Sequence, residues 1–182
     1  MKKVCTLAFM ALAMVFTTEA VAQKFSGLDK SPADIASYPG GGQNSNKTVR
    51  VIYSRPQLKG RSLSELAPSG KVWRTGANEA TEITFYSDVN FGGKSISAGT
   101  YSLFTIPGND EWTVILNRNL NQWGAYSYDE SGDVARVTVP ANSGRESLEP
   151  FSIAFKEADG GVEMVMGWDK TRIAVPIEMQ KM

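Results

Sequence analysis

The chain has 182 residues, of which 42% are hydrophobic and 21% charged, with no net charge. That composition fits one globular domain, neither disordered nor membrane-embedded, and offers no basic excess for a nucleic-acid partner. Histidine is absent and the single cysteine, Cys5, lies in an N-terminal apolar run, so neither a Ser-His-Asp nor a Cys-His nucleophile can be assembled. The imidazole and thiolate donors of zinc, copper, haem and iron–sulfur sites are missing too, and no metal or cofactor is expected. Carboxylate pairs, Ser/Lys or Tyr chemistry and an oxygen-ligated hard cation are the remaining routes to catalysis.

The first 22 residues read as a cleaved signal peptide. Lys2 and Lys3 form a positive start, Val4 to Phe16 an apolar run, and Ala20-Val21-Ala22 a cleavage site. The run is too short for a comfortable membrane span, which needs about 20 apolar residues, and no later stretch approaches that length. The mature chain is expected to start at Gln23, to be exported to the periplasm or the medium, and to lack any disulfide.

Residues 23–46 read as a lead-in. Ser31-Pro32 followed by Ala33 to Ala36 predicts a short N-terminal helix that stops at Tyr38-Pro39, and Gly40 to Asn46 a flexible linker. From residue 47 to 182 the pattern has period two, which predicts a β domain. Val49, Val51 and Tyr53 share one face of the first strand, which Arg55-Pro56 ends. Ser62-x-x-Glu65 is a capping box for one helical turn. Short strands follow at 72–74, 81–88, 94–97, 100–106, 112–116, 134–139 and near 151–155. The segment 162–168 then returns to 171–177 through a turn at Asp169-Lys170. Roughly nine strands with turn chemistry between them predict an antiparallel β-sandwich or flattened barrel. Tyr101, early in its strand, is placed to hydrogen-bond back across a sandwich corner.

Trp73-Arg74-Thr75-Gly76-Ala77-Asn78-Glu79-Ala80-Thr81 joins two of these strands and is dense in groups that make specific contacts. Gly76 can supply a positive φ, Arg74 can hold an anion at two points, and Glu79 can act as acid, base or ligand. The competing reading pairs Glu79 with Arg74 or Arg61 to fix the loop. Arg55, Arg61 and Arg74 together make a candidate anion site, although such arginines also cover sheet faces with their stems. Trp112, Trp123, Tyr126 and Tyr128 are candidates for stacking a sugar, the last three in the loop-rich stretch 117–132 beside Asn117, Asn119, Asn121 and Gln122; Trp112 and Trp168 read as core, which leaves Trp123 and Tyr126 open. Gly93-Lys94-Ser95 lacks the spacing of a phosphate loop, and Asp129 to Asp133 that of a calcium loop.

Leu28-Asp29-Lys30-Ser31-Pro32, Tyr53-Ser54-Arg55-Pro56, Lys59-Gly60-Arg61, the run from Val72 to Thr81, Ala98 to Leu103, Ile106-Pro107, Trp168 and Val175-Pro176-Ile177 resemble domain-of-unknown-function family 2911. The resemblance spans nearly the whole mature chain. It implies an exported, β-rich bacterial envelope protein and no particular reaction. The residues point to a non-enzymatic domain that binds a glycan or an anionic small ligand through loop 73–81, with Arg55, Arg61, Arg74, Asn78, Glu79, Trp123 and Tyr126 as candidate contacts. Two alternatives stand beside it. One is a sugar hydrolase pairing Glu79 with Asp88, Asp129 or Asp133; the other is a structural module that holds an envelope protein.

Overall fold

Every second residue from Val49 to Tyr53 is apolar, and a strand with that pattern must bury one face against a second layer. The computed structural model describes residues 23–41 and 46–179 and shows how this is met. The signal peptide read into residues 1–22 and residues 42–45 of the glycine-rich linker lie outside the described residues. Among the described residues ten strands form two antiparallel sheets: β1 (Ala33–Tyr38), β2 (Val49–Ser54), β3 (Thr81–Phe85), β4 (Val89–Phe91), β5 (Lys94–Ile96), β6 (Gly99–Ile106), β7 (Glu111–Asn117), β8 (Asp133–Pro140), β9 (Asn142–Ala158) and β10 (Gly161–Met179). One sheet runs β1-β2-β3-β6-β7-β8 and the other β5-β4-β10-β9. The result is a β-sandwich, as the strand spacing predicts. Among the described residues no helix is long and apolar enough to cross a membrane.

The helix predicted at residues 31–36 is not formed. Residues 33–38 are instead the edge strand β1, in register with β2 from Ala33↔Ser54 to Tyr38↔Val49. A single turn of helix is costly to nucleate, whereas the extended form gains a ladder along β2 and packs Ala36 and Tyr38 on the core. The capping box does form, and carries the one α-helix among the described residues, α1 (Leu63–Leu66): the Ser62 side chain accepts from the Glu65 N–H while Glu65 accepts from the Ser62 N–H at 2.7 Å.

Between the sheets, Val49, Val51, Ile83, Phe85, Leu103, Val114 and Leu116 of the first meet Phe91, Phe151, Met164, Met166, Ile173, Val175 and Ile177 of the second, all essentially inaccessible. Four rings mark one end of this core. Trp73 stacks on Trp168 at 5.4 Å and meets Trp112 and Phe151 edge-on at 6.2 and 5.1 Å. Tyr101 Oη donates to Ser97 O at 3.0 Å, forming the corner read from its position.

β10 would span roughly 60 Å if straight, yet its ends meet. Met179 N–H donates to Gly160 O at 3.4 Å, and a Cβ at Gly161 would run into Ile177 O. The strand therefore turns back on itself near Asp169, whose φ is 47°, as the reading of Asp169-Lys170 expects.

At one edge Arg55 ties the two sheets together. Its guanidinium donates to Asp34 Oδ2 on β1 at 3.0 Å and to Phe151 O and Ser152 Oγ on β9 at 3.0 and 2.7 Å. Replacing Trp73 with alanine opens a cavity at the meeting point of four rings. It is expected to cost about 3–5 kcal/mol of stability in denaturant unfolding, whereas Trp123→Ala, on an exposed ring, should stay within about 0.5 kcal/mol.

Candidate functional site

Loop 73–81 leaves the core at a fixed point. Trp73 is held by its ring and by a two-way backbone pairing with Thr105 on β6, at 2.7 and 2.9 Å. Alternation then turns Arg74 away from the core. Thr81 N–H donates to Arg74 O at 3.1 Å and Thr81 Oγ1 to Thr75 O at 2.7 Å, closing the loop at its neck. Gly76 does not take the positive φ expected of it; Thr75 and Asn78 do, at 53° and 60°. Gly76 is needed for close approach, because a Cβ there would lie 3.0 Å from both Ser54 O and Thr81 Oγ1.

The stretch from Asn117 to Gly132 folds over the outer face of the first sheet. It covers Phe104 and Ile115, which with Ala80 form a second small apolar cluster packed by Val72, Ala125 and Tyr128. β6 and β7 are thus buried on both faces, which is why Leu103 and Phe104 are adjacent and both inaccessible. Polar groups bind the rest of this stretch. Asn117 Nδ2 donates to Asp129 O and Asp133 Oδ1 at 2.8 Å, Asn117 Oδ1 accepts from Asn119 N–H at 2.9 Å, and Tyr128 Oη donates to Asp133 Oδ2 at 2.7 Å. The amides read as possible sugar ligands at Asn117 and Gln122 instead hold backbone of their own loop.

The two loops are hydrogen-bonded to each other. Ala80 N–H donates to Gln122 O at 2.8 Å, Gly124 N–H to Asn78 O at 3.0 Å, and Asn121 N–H to Glu82 Oε1 at 3.1 Å, so that Glu79 and Trp123 form a bridge. At Gly124 a Cβ would lie 2.7 Å from the Tyr126 ring and 3.5 Å from Arg74 Nη1, which puts guanidinium and ring side by side. Trp123 and Tyr126 are 64% and 84% exposed although the backbone carrying them is tied down. Arg74 Nε is buried and has no partner. Asn78 faces Asp29 of the N-terminal segment. Asp29's carboxyl is held below its usual range first by the Ser31 N–H and then by Asn78.

The structure thus brings Arg74, Asn78, Glu79, Trp123 and Tyr126 into one place. Arg55 and Arg61 lie elsewhere: Arg55 clamps the sheets, and Arg61 donates to Leu58 O and Gln57 O at 3.0 and 2.9 Å, holding the loop ahead of α1. No ion pair joins Glu79 to Arg74 or Arg61 among the described residues. Glu82, which the sequence reading passed over, lines a small cavity of about 110 Å³ together with Glu79, Ile52 and Ser54. Its signal was an acidic residue on the outer face of β3. The carboxylates weighed as partners for Glu79 hold turns: Asp88 accepts from Ala98 N–H, Asp129 from Ser131, and Asp133 from Tyr128 and Asn117. No group of three acidic side chains positioned to hold a metal ion occurs among the described residues.

The fold and this patch define a β-sandwich that presents two aromatic rings and an arginine from a pair of laced loops. The profile of the family described as "Protein of unknown function (DUF2911)" matches residues 31–177, and the chain belongs to that family. No curated protein and no solved structure matches it.

Tyr128 and Tyr53 both stay protonated longer than free tyrosine. Burial is the first cause in each, reinforced for Tyr128 by its bond to Asp133. A phenol whose folded-state pKa is raised contributes stability that is fully present below the unfolded value, about 10, and is lost as pH rises through the folded value. The urea midpoint is therefore expected to fall above about pH 10. Tyr53→Phe and Tyr128→Phe should flatten that slope whatever they do to the midpoint at neutral pH.

Proposed function

We propose that the protein is an exported, non-catalytic binding domain of the cell envelope that lays a glycan across Trp123 and Tyr126, with Arg74 donating to its hydroxyls or ring oxygen. The observation that carries this reading is the exposure of two large rings on an anchored loop, with Arg74 Nη1 close to the same backbone at Gly124. Exposed rings on mobile loops are common, but two that remain outside while Ala125 and Tyr128 beside them are packed inward need a reason other than folding.

Between the two ligand classes the residues suggested, charge favours the glycan. The cluster of three arginines that an anion site would need is dispersed, and two acidic residues, Glu79 and Glu82, line the small cavity at these loops. The 110 Å³ cavity beside them is far below the 300–1,000 Å³ of typical small-molecule sites, so the ligand lies on the surface instead of entering it. Export rests on the signal-peptide pattern of residues 1–22.

The test is a titration of the chain from Gln23 onward with soluble polysaccharides and oligosaccharides, followed by affinity electrophoresis and tryptophan fluorescence. Binding by at least one is expected, with a loss of about tenfold or more, on the order of 1.4 kcal/mol, for Trp123→Ala or Tyr126→Ala and unchanged thermal stability. Binding that survives removal of both rings, or the absence of binding to every member of the panel, would contradict the reading.

A further inference from the structure

A second concavity lies at another part of the sandwich, where three segments distant in sequence meet: the loop around α1, the turn between β6 and β7, and the turn of β10 at Asp169. It encloses about 370 Å³, within the range of small-molecule sites. Each wall is held independently. Gly70 N–H donates to Pro107 O at 2.8 Å, joining the first two segments. Arg172 Nη1 donates to Asp169 O at 2.8 Å and fixes the third. Trp112, buried and locked edge-on against Trp73, stands at the base of the turn between β6 and β7. The cleft is therefore preformed.

Its lining has a distinct chemistry. Its polar lining residues are Ser62, Ser64, Ser69, Asn109, Asp169 and Thr171, with neither lysine nor arginine among them. Among the described residues the side chains of Ser69, Asn109 and Thr171 make no hydrogen bond, so they are free to bind a ligand. Asp169 accepts from Ser147 Oγ at 2.7 Å and takes part in none of the ion pairs of the described residues. A carboxylate that makes no ion pair of its own, beside the unused side chains of Ser69, Asn109 and Thr171 and with an indole in the lining, is complementary to a molecule with a positive charge, several hydroxyls and an apolar face. An anion would meet the like charge of Asp169, while the Arg172 guanidinium is turned to the carbonyls of Asp169 and Thr171.

We propose that this cleft is a ligand site separate from the aromatic platform, and that it takes a small amine-bearing, hydroxyl-rich molecule of the amino-sugar class. The ammonium group pairs with Asp169, the hydroxyls meet Ser69, Asn109 and Thr171, and the apolar face of the ring lies towards Trp112. The site does not depend on the glycan reading of Trp123 and Tyr126.

Isothermal titration of the chain from Gln23 onward with glucosamine, N-acetylglucosamine and glucose at pH 6.5 tests it. Glucosamine is expected to bind at least tenfold more tightly than the two neutral sugars, and Asp169→Asn to abolish that preference. Asn tolerates the positive φ at this position as well as Asp does, so the variant keeps the turn; Ser69→Leu, an exposed position whose larger side chain fills the cleft, is a second check that leaves Asp169 in place. Trp123→Ala should leave the titration unchanged. Equal binding of charged and neutral sugars, binding insensitive to both Asp169→Asn and Ser69→Leu, or no binding of glucosamine up to about 10 mM would overturn the proposal. A signal lost in Trp123→Ala but kept in Asp169→Asn would assign the sugar to the platform and overturn it as well.

Discussion

Trp73 is the residue on which the arrangement of this protein turns. Its ring fills the space between the sheets, against Trp168, Trp112 and Phe151, while its backbone pairs with Thr105. Both anchors are needed to give the following loop a defined start. With the indole pointing into the core, the alternation of an extended chain sends Arg74 outward, and the neck bonds from Thr81 return the chain to β3 after only six residues. The position of Arg74 relative to the sheet is thus a consequence of core packing and of the neck bond to its carbonyl, not of any contact that its guanidinium makes.

The second constraint is the apolar cluster on the outer face. A strand with Leu103 on one face and Phe104 on the other cannot leave either exposed without cost, so a cover is required, and the stretch 117–132 provides it through Ala125 and Tyr128. Covering that face brings Gln122 and Gly124 to Ala80 and Asn78, and the hydrogen bonds between them join the two loops. The aromatic platform is therefore placed by folding energetics, while the exposure of its rings contributes nothing to folding.

The period-two alternation made the sandwich legible: the inward sets Val49, Val51, Tyr53 and Ile83, Phe85 follow directly from it, as do the capping box at Ser62 and the corner at Tyr101. Residues 33–38 depart from the helix that Ser31-Pro32 favours locally, because the pairing with β2 that overrides it is a long-range fact absent from the local pattern. Of the site, loop 73–81 stood out by its density of polar groups, and Trp123 and Tyr126 by their loop context. Their meeting was not legible, since it depends on backbone bonds across some forty residues. Arg55 and Arg61 looked like neighbours of Arg74 in sequence, but each reaches for carbonyls on a different segment. The cleft near Asp169 gave no sequence signal, because it is built from three turns that each read as a plain connector.

Loops 73–81 and 117–132, laced by the backbone bonds between them, act as one rigid body that holds the rings outward. Native-state amide exchange at Ala80 and Gly124, the two N–H groups that bond backbone to backbone between the loops, is the decisive test. Both amides are expected to be protected, exchanging orders of magnitude more slowly than free peptide and close to the amides of β6. Exchange of either at nearly the free-peptide rate would show the loops opening independently, and the platform would lose its physical basis.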